Sequence, residues 1–191
     1  MQLDLFSMPK TKPQMNNLFF AIFPTREAAL QLAKAGTWLD QRHQLRANPR
    51  PIDHLHISLL GFGQFIEVPS VYVETAKRAG EAVAADFLPF QVTLNQALIY
   101  NGNGALVLES DEPSAATLTT LCGQLGRELN AFSGANPKTR SSTPHLTLAY
   151  CHERLRHEPA TPISWVVNEI ELIISEEGKS IYHRIGKWQL G

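Results

Sequence analysis

His54-Leu55-His56-Ile57-Ser58-Leu59-Leu60 and His145-Leu146-Thr147-Leu148-Ala149-Tyr150 decide how this chain is read. Each holds histidine, an apolar residue, a hydroxyl residue and leucine in that order. Side chains alternate across a strand with period two. In the first segment this sets His56 and Ser58 on one face, over Leu55, Ile57 and Leu59. In the second it pairs His145 with Thr147, over Leu146 and Leu148. His54 adds an extra histidine to the first motif face. Each strand thus offers an imidazole and a hydroxyl on one side and anchors itself in a core with the other. With 7 histidines in the chain, chance supplies roughly 0.1 matches to His-x-Ser/Thr-Leu. Two copies point to an internal duplication with a site between the halves.

Two imidazoles suit a reaction that needs a base and an acid together. Imidazole titrates near neutrality, so one neutral and one protonated histidine can activate water and protonate a leaving alkoxide without a metal. Hydroxyls two residues along can donate hydrogen bonds to an oxygen on which negative charge develops.

The paired motifs resemble those of the 2H phosphoesterase superfamily, in particular the LigT-like RNA 2′,3′-cyclic phosphodiesterases, also called 2′-5′ RNA ligases. The resemblance covers about residue 18 to the C-terminus. It includes Leu18-Phe19-Phe20-Ala21-Ile22-Phe23-Pro24, Thr143-Pro144-His145-Leu146-Thr147-Leu148 and Ile170-Glu171-Leu172-Ile173-Ile174-Ser175-Glu176. It implies a metal-independent and cofactor-free phosphodiesterase acting on 2′,3′-cyclic phosphate ends of RNA or nucleotides, with reverse 2′-5′ ligation as an accessory activity. His145 would be the base and His56 the acid, with Ser58 and Thr147 as phosphate donors. An aromatic near Phe62 would touch substrate. Relatives often carry arginine three residues after the second hydroxyl, where this chain has Tyr150. Arg140, Lys138 or an arginine near 42–50 would then have to supply the missing cation. Two rival readings are a small-nucleotide phosphodiesterase, for ADP-ribose cyclic phosphate or a 2′-5′ oligonucleotide, and a nucleic-acid-binding module without turnover.

Composition bounds these readings. The 191 residues are 43% hydrophobic and 18% charged, with a net charge of −1. That describes a globular chain with a sizeable core and no global attraction for long nucleic acid. Cys122 and Cys151 show neither disulfide nor metal spacing. The chain shows no secretory signal pattern and no apolar run of membrane-spanning length, so a cytoplasmic location is expected.

The pattern along the chain predicts α+β architecture. A flexible tail covers 1–17 and a single bilobal domain covers 18–191. Strand 18–24 leads to a helix capped by Thr25 and running to about residue 41. A polar loop over 43–50, with Arg42, Arg46 and Arg50, precedes the first motif. Helices follow at 69–86 and 114–132, flanking a hairpin closed by Asn101-Gly102-Asn103-Gly104. After a loop at 151–162, one long strand is expected over 165–175 and a last one over 181–190. The resemblance adds two pseudo-symmetric lobes, each a mainly antiparallel sheet with helices outside and the cleft between. In the tail, Gln2-Leu3-Asp4-Leu5-Phe6 resembles the peptide with which many bacterial proteins dock on the DNA sliding clamp.

Overall fold

The computed structural model describes residues 13–132 and 144–191. The described strands are β1 (Asn16–Ile22), β2 (Asn48–Pro49), β3 (Ile57–Phe65), β4 (Phe90–Ile99), β5 (Ala105–Ser110), β6 (His145–Tyr150), β7 (Glu158–Val167), β8 (Glu169–Glu176) and β9 (Ile181–Gln189). The helices are α1 (Arg26–His43), α2 (Ser70–Asp86) and α3 (Glu112–Phe132). All described strand pairings are antiparallel, in the order β7-β4-β5-β6-β3-β1-β8-β9, with β2 added beside β6.

The motif strands β3 and β6 lie at the centre of this order. They meet through the register pair Ile57–Leu146. On one side of that join stand β3, β1, β8 and β9, and on the other β6, β5, β4 and β7. The units β1-α1-β3 and β5-α3-β6 match, each being strand, helix and adjacent motif strand. The helices also tie the halves together: α1 packs on β6 and β7, α3 on β3 and β4, and α2 on α3, β8 and β9.

Alternation built the core as expected. Ile57 and Leu59 of β3 are buried, as are Leu146 and Leu148 of β6, while Ser58 and Thr147 between them are half-exposed. Leu118, Leu121, Leu125 and Leu129 form a fully buried stripe on α3. Each such side chain contributes roughly 1.5–3 kcal/mol of hydrophobic stabilisation. Thr25 caps α1 by accepting from the Ala28 amide at 3.3 Å. Asp111 accepts from the Ser114 amide at 3.0 Å and starts α3 two residues before the expected boundary. Cys122 and Cys151 are free thiols.

Several expectations change. The first motif strand begins at Ile57, not His54. Residues Ile52–His54 form one 3-10 turn, in which the His54 and Leu55 amides bond to the Pro51 and Ile52 carbonyls. Local turn bonds therefore replace ladder bonds there, and His54 leaves the motif strand. The loop before it supplies β2, whose Pro49 pairs with Ala149. The expected strand over 165–175 is two strands divided at Asn168, one in each half of the sheet. β7 starts within the expected loop, at Glu158. Its Pro159 and Pro162 disguise it, and both are tolerated because β7 is an edge strand. The first strand begins at Asn16, inside the expected tail, and Gln14 already bonds to the Glu177 carbonyl.

Candidate active site

Antiparallel pairing at Ile57–Leu146 sets the geometry of the site. One step either way brings Ser58 alongside His145, and His56 alongside Thr147. All four line one open cleft of about 670 Å³. The cleft also takes in Phe19 of β1, Tyr182 of β9, Arg50, and the hairpin tips at Asn103 and at Glu177, Gly178 and Ser180.

His56 is held on every side. The rings of Phe19, Phe23 and Tyr182 surround it at centroid distances of 5.4, 5.6 and 5.5 Å. Its Nδ1–H donates to the His54 carbonyl oxygen at 2.8 Å. A carbonyl only accepts, so this bond fixes the proton on Nδ1 and leaves the Nε2 lone pair facing the Ser58 hydroxyl, 3.1 Å away. Burial, and next the positive charge of Arg50, push the His56 pKa down to about 4, against the His54 hydrogen bond that raises it. His56 is therefore the neutral imidazole at neutral pH. This electrostatic setting favours it as base, opposite to the role the resemblance implied.

His145 has different neighbours. The Tyr100 ring meets it edge-on at 4.9 Å, and Glu109 is its register partner on β5. The Tyr100 hydroxyl donates to Glu109 at 2.9 Å, and His157 lies 3.4 Å from the same carboxylate. Burial and the Glu109 hydrogen bond raise the Tyr100 pKa, keeping it a phenol. Glu109 thus adjoins His145 from β5 and the Arg50 charge bears on His56, while the carboxylates that line the cleft itself are Glu176 and Glu177.

That guanidinium belongs to Arg50, which follows β2 and bonds through its amide to the Leu148 carbonyl at 2.9 Å. It donates to the Tyr150 hydroxyl at 3.3 Å and, at shorter range, to the Tyr182 hydroxyl. Tyr182 is stacked on His54 at 4.5 Å. Tyr150 is exposed and lines the cleft.

The structure does not bring every candidate together. Phe62 is only 5% exposed and packs on Phe20 in the core, so it offers no stacking face; its neighbours Gly61 and Gly63 line the cleft instead. Two register shifts against β1, one passing over Leu59 and one over Phe62, break the alternation of β3 beyond Ser58 and leave Phe62 on the core side. Arg140 and Lys138 lie outside the described residues, as does the peptide Gln2-Leu3-Asp4-Leu5-Phe6. Tyr182, Tyr100 and Glu109 were missed as site residues. Their only sequence signal is strand alternation, which does not say which face meets a distant motif. Among the described residues no helix is long and apolar enough to cross a membrane.

Comparisons with known proteins agree with this geometry. The family model described as the 2′-5′ RNA ligase superfamily matches residues 27–179. Comparison with curated protein sequences gives no match. Among solved structures, TT0787 of Thermus thermophilus is similar with a TM-score of 0.73 at 23% identity, covering 91% of this chain and 97% of that one. LigT of E. coli, solved in complex with phosphate, gives 0.69 at 21% identity over 93% and 98%. Usb1 of Kluyveromyces marxianus gives 0.53 at 12% identity over 91% and 98%. With its two histidine motifs joined at the centre of a LigT-like sheet, the chain belongs to the 2′-5′ RNA ligase superfamily of 2H phosphoesterases.

Proposed function

We propose that the protein hydrolyses 2′,3′-cyclic phosphates at RNA ends or on nucleotides, without a metal, using His56 and His145 as its acid–base pair. The observation that carries this reading is the Ile57–Leu146 pairing, which places an imidazole and a hydroxyl from each half of the sheet in one cleft. In the ring-opening direction, His56 Nε2 takes a proton from water as the water oxygen bonds to phosphorus. One P–O bond to the ribose breaks, and His145 delivers a proton to the departing oxygen. The product is a phosphomonoester, and the histidines have exchanged protonation states. Ser58 and Thr147 donate to the non-bridging oxygens, where negative charge grows in the five-coordinate state. With a ribose 5′-hydroxyl in place of water, the same forward steps join two ends in a 2′-5′ linkage, and running those steps backwards cleaves that linkage with the two roles exchanged.

The character of the cleft supports a short substrate. Among the described residues Arg50 is its only lysine or arginine, while Asn17, Gln64 and Asn103, and the Ser175, Glu176, Glu177 and Ser180 edge, add further polar groups to its wall. A long strand would need several phosphate-neutralising cations. A nucleotide, or the last residues of an RNA, needs one. Solved complexes of E. coli LigT with phosphate and with 3′-AMP agree with a nucleotide-sized ligand. The same polar wall favours, as second reading, a phosphodiesterase for a small cyclic or 2′-5′-linked nucleotide.

The test is a substrate panel in EDTA: 2′,3′-cyclic nucleotides, RNA ending in cyclic phosphate, ADP-ribose cyclic phosphate and a 2′-5′ dinucleotide. Turnover of the first two supports the leading reading. Turnover confined to the others moves the assignment to the second. Phosphate or RNA binding with no turnover of any of them leaves a binding module.

A further inference from the structure

Arg50 stands in the cleft in an unusual condition. A guanidinium has five N–H donors. Its described bonds use two of them, to the hydroxyls of Tyr150 and Tyr182. Its Nε is buried without a partner. Among the described residues no carboxylate pairs with it, whereas Arg184, also on this sheet face, donates from Nη1 to both carboxylate oxygens of Glu171 at 2.6 and 2.7 Å. Two phenols orient Arg50 and leave its charge unspent. Burial keeps the Tyr182 phenol protonated, its pKa raised. A partly buried, oriented and unneutralised cation beside two imidazoles costs folding energy unless an anion arrives.

We propose that Arg50, aimed by Tyr150 and Tyr182, is the cation that binds the phosphoryl group of the substrate in this chain. It does from β2 what the resemblance assigns to an arginine at position 150. The backbone makes this exchange possible: Asn48 is the register partner of Tyr150, and the Arg50 amide bonds to the Leu148 carbonyl. A side chain rooted two residues beyond Asn48 therefore reaches the space that a long side chain at 150 would fill. Tyr150 then becomes a positioning residue, and its hydroxyl holds the guanidinium it replaced. The planar fork suits two phosphoryl oxygens at once, as a lysine ammonium does not. The inference deepens the phosphodiesterase reading and rests on it for the identity of the phosphate ester.

The experiment is designed so that the two can fail separately. Inorganic phosphate is titrated calorimetrically into wild type, R50M, R50K and the double variant R50M/Y150R, and turnover of a 2′,3′-cyclic nucleotide is measured in parallel. Losing charge-assisted hydrogen bonds should weaken phosphate binding in R50M by about 10–100-fold. Loss of transition-state stabilisation should lower its kcat/KM by about 10²–10³-fold. R50K should lose less than R50M, and R50M/Y150R should recover at least about tenfold, because its guanidinium returns to the same space. Thermal melts identify a variant that fails to fold, and R50K and the double variant then decide. Phosphate affinity and kcat/KM equal to wild type in R50M, or no recovery in a folded double variant, would overturn the assignment. Absent turnover by wild type would remove the cyclic-phosphate reading, while the phosphate titration still judges Arg50.

Discussion

Ile57 and Leu146 face each other across β3 and β6, and both are fully buried. Neither carries chemistry. Their pairing brings the next residue on each strand into one cleft, so the core and the reactive face are two sides of one strand alternation.

If both histidines act, each should be needed. His56→Ala and His145→Ala should each lower kcat by about 10²–10⁴-fold, the usual contribution of a positioned acid or base. His145→Ala should keep a wild-type melting transition, whereas His56→Ala, which empties a space among three aromatic rings, should melt lower while still folding. Steady-state rates beside circular dichroism melts check this. Full activity in either folded variant would remove the two-histidine mechanism.

The hydroxyls should matter less. Ser58→Ala and Thr147→Ala each remove one donor to phosphoryl oxygens and should cost about 10–10³-fold in kcat/KM. Ser58→Ala has a second consequence, because its Oγ also faces His56 Nε2 at 3.1 Å. A shift in the pH profile of Ser58→Ala but not of Thr147→Ala would separate the two contributions. If both variants keep wild-type rates, the hydroxyls serve packing only.

How far could this be read without coordinates? The motif strands gave themselves away because a buried apolar row must alternate with an exposed reactive row, and both rows are local. The helices declared themselves by apolar spacing, leucines in α3 and valines and alanines in α2. Arg50 was one of several cations the sequence offered, and only the sheet pairing singles it out; Tyr182 and Glu109 gave no sign, because each joins the site through pairing between segments distant in sequence. The Arg50–Tyr182 bond, for one, spans 132 positions. Phe62 misled for a related reason. The register shifts between β1 and β3 turn it inward, and no side-chain pattern announces a bulge. The prolines of β7 hid an edge strand, since they argue against a strand only where both edges are paired.

Acid should act on stability through His56. An unfolded histidine titrates near 6.5, whereas burial and Arg50 hold the folded His56 down to about 4. Between these values the unfolded chain binds a proton that the folded chain refuses. The contribution of His56 is therefore present above about pH 6.5 and lost as pH falls towards 4. Denaturant melts between pH 7 and 4 should show a smaller loss in His56→Gln than in wild type. An identical slope in both proteins would show that His56 is not held neutral. The rate should also follow a bell, since one histidine must be neutral and the other charged.

Packing offers a contrast free of the active site. A Cβ on Gly80 of α2 would lie 2.7 Å from the Trp188 ring, whereas one on Gly126 of α3 meets nothing within 4 Å. Trp188 packs on Phe20 at 6.2 Å and cannot retreat without opening the core. Gly80→Ala should therefore lose about 1–3 kcal/mol through overpacking. Gly126→Ala should gain about 0.5–1 kcal/mol, because a helical glycine gives up more backbone entropy than alanine. Urea unfolding midpoints measure both. Equal stability of the two variants would contradict the packing of Trp188 against α2.

The N-terminal peptide calls for a different partner. Gln2-Leu3-Asp4-Leu5-Phe6 lies ahead of Pro9 and Pro13 and far in sequence from the catalytic motifs. Leu3, Leu5 and Phe6 supply apolar anchors for a groove, and Gln2 a polar hook. We propose that this segment binds the bacterial sliding clamp and takes no part in catalysis. Ordering a short peptide in a groove costs conformational entropy, so affinity should be modest, about micromolar. Calorimetric titration of the clamp with wild type and with Leu5→Ala/Phe6→Ala is the measurement. Binding by wild type, its loss in the variant and unchanged phosphodiesterase rates in both are the expected results. Absent binding by wild type would end the proposal. A loss of catalytic rate in the variant would instead mean that the segment packs on its own domain.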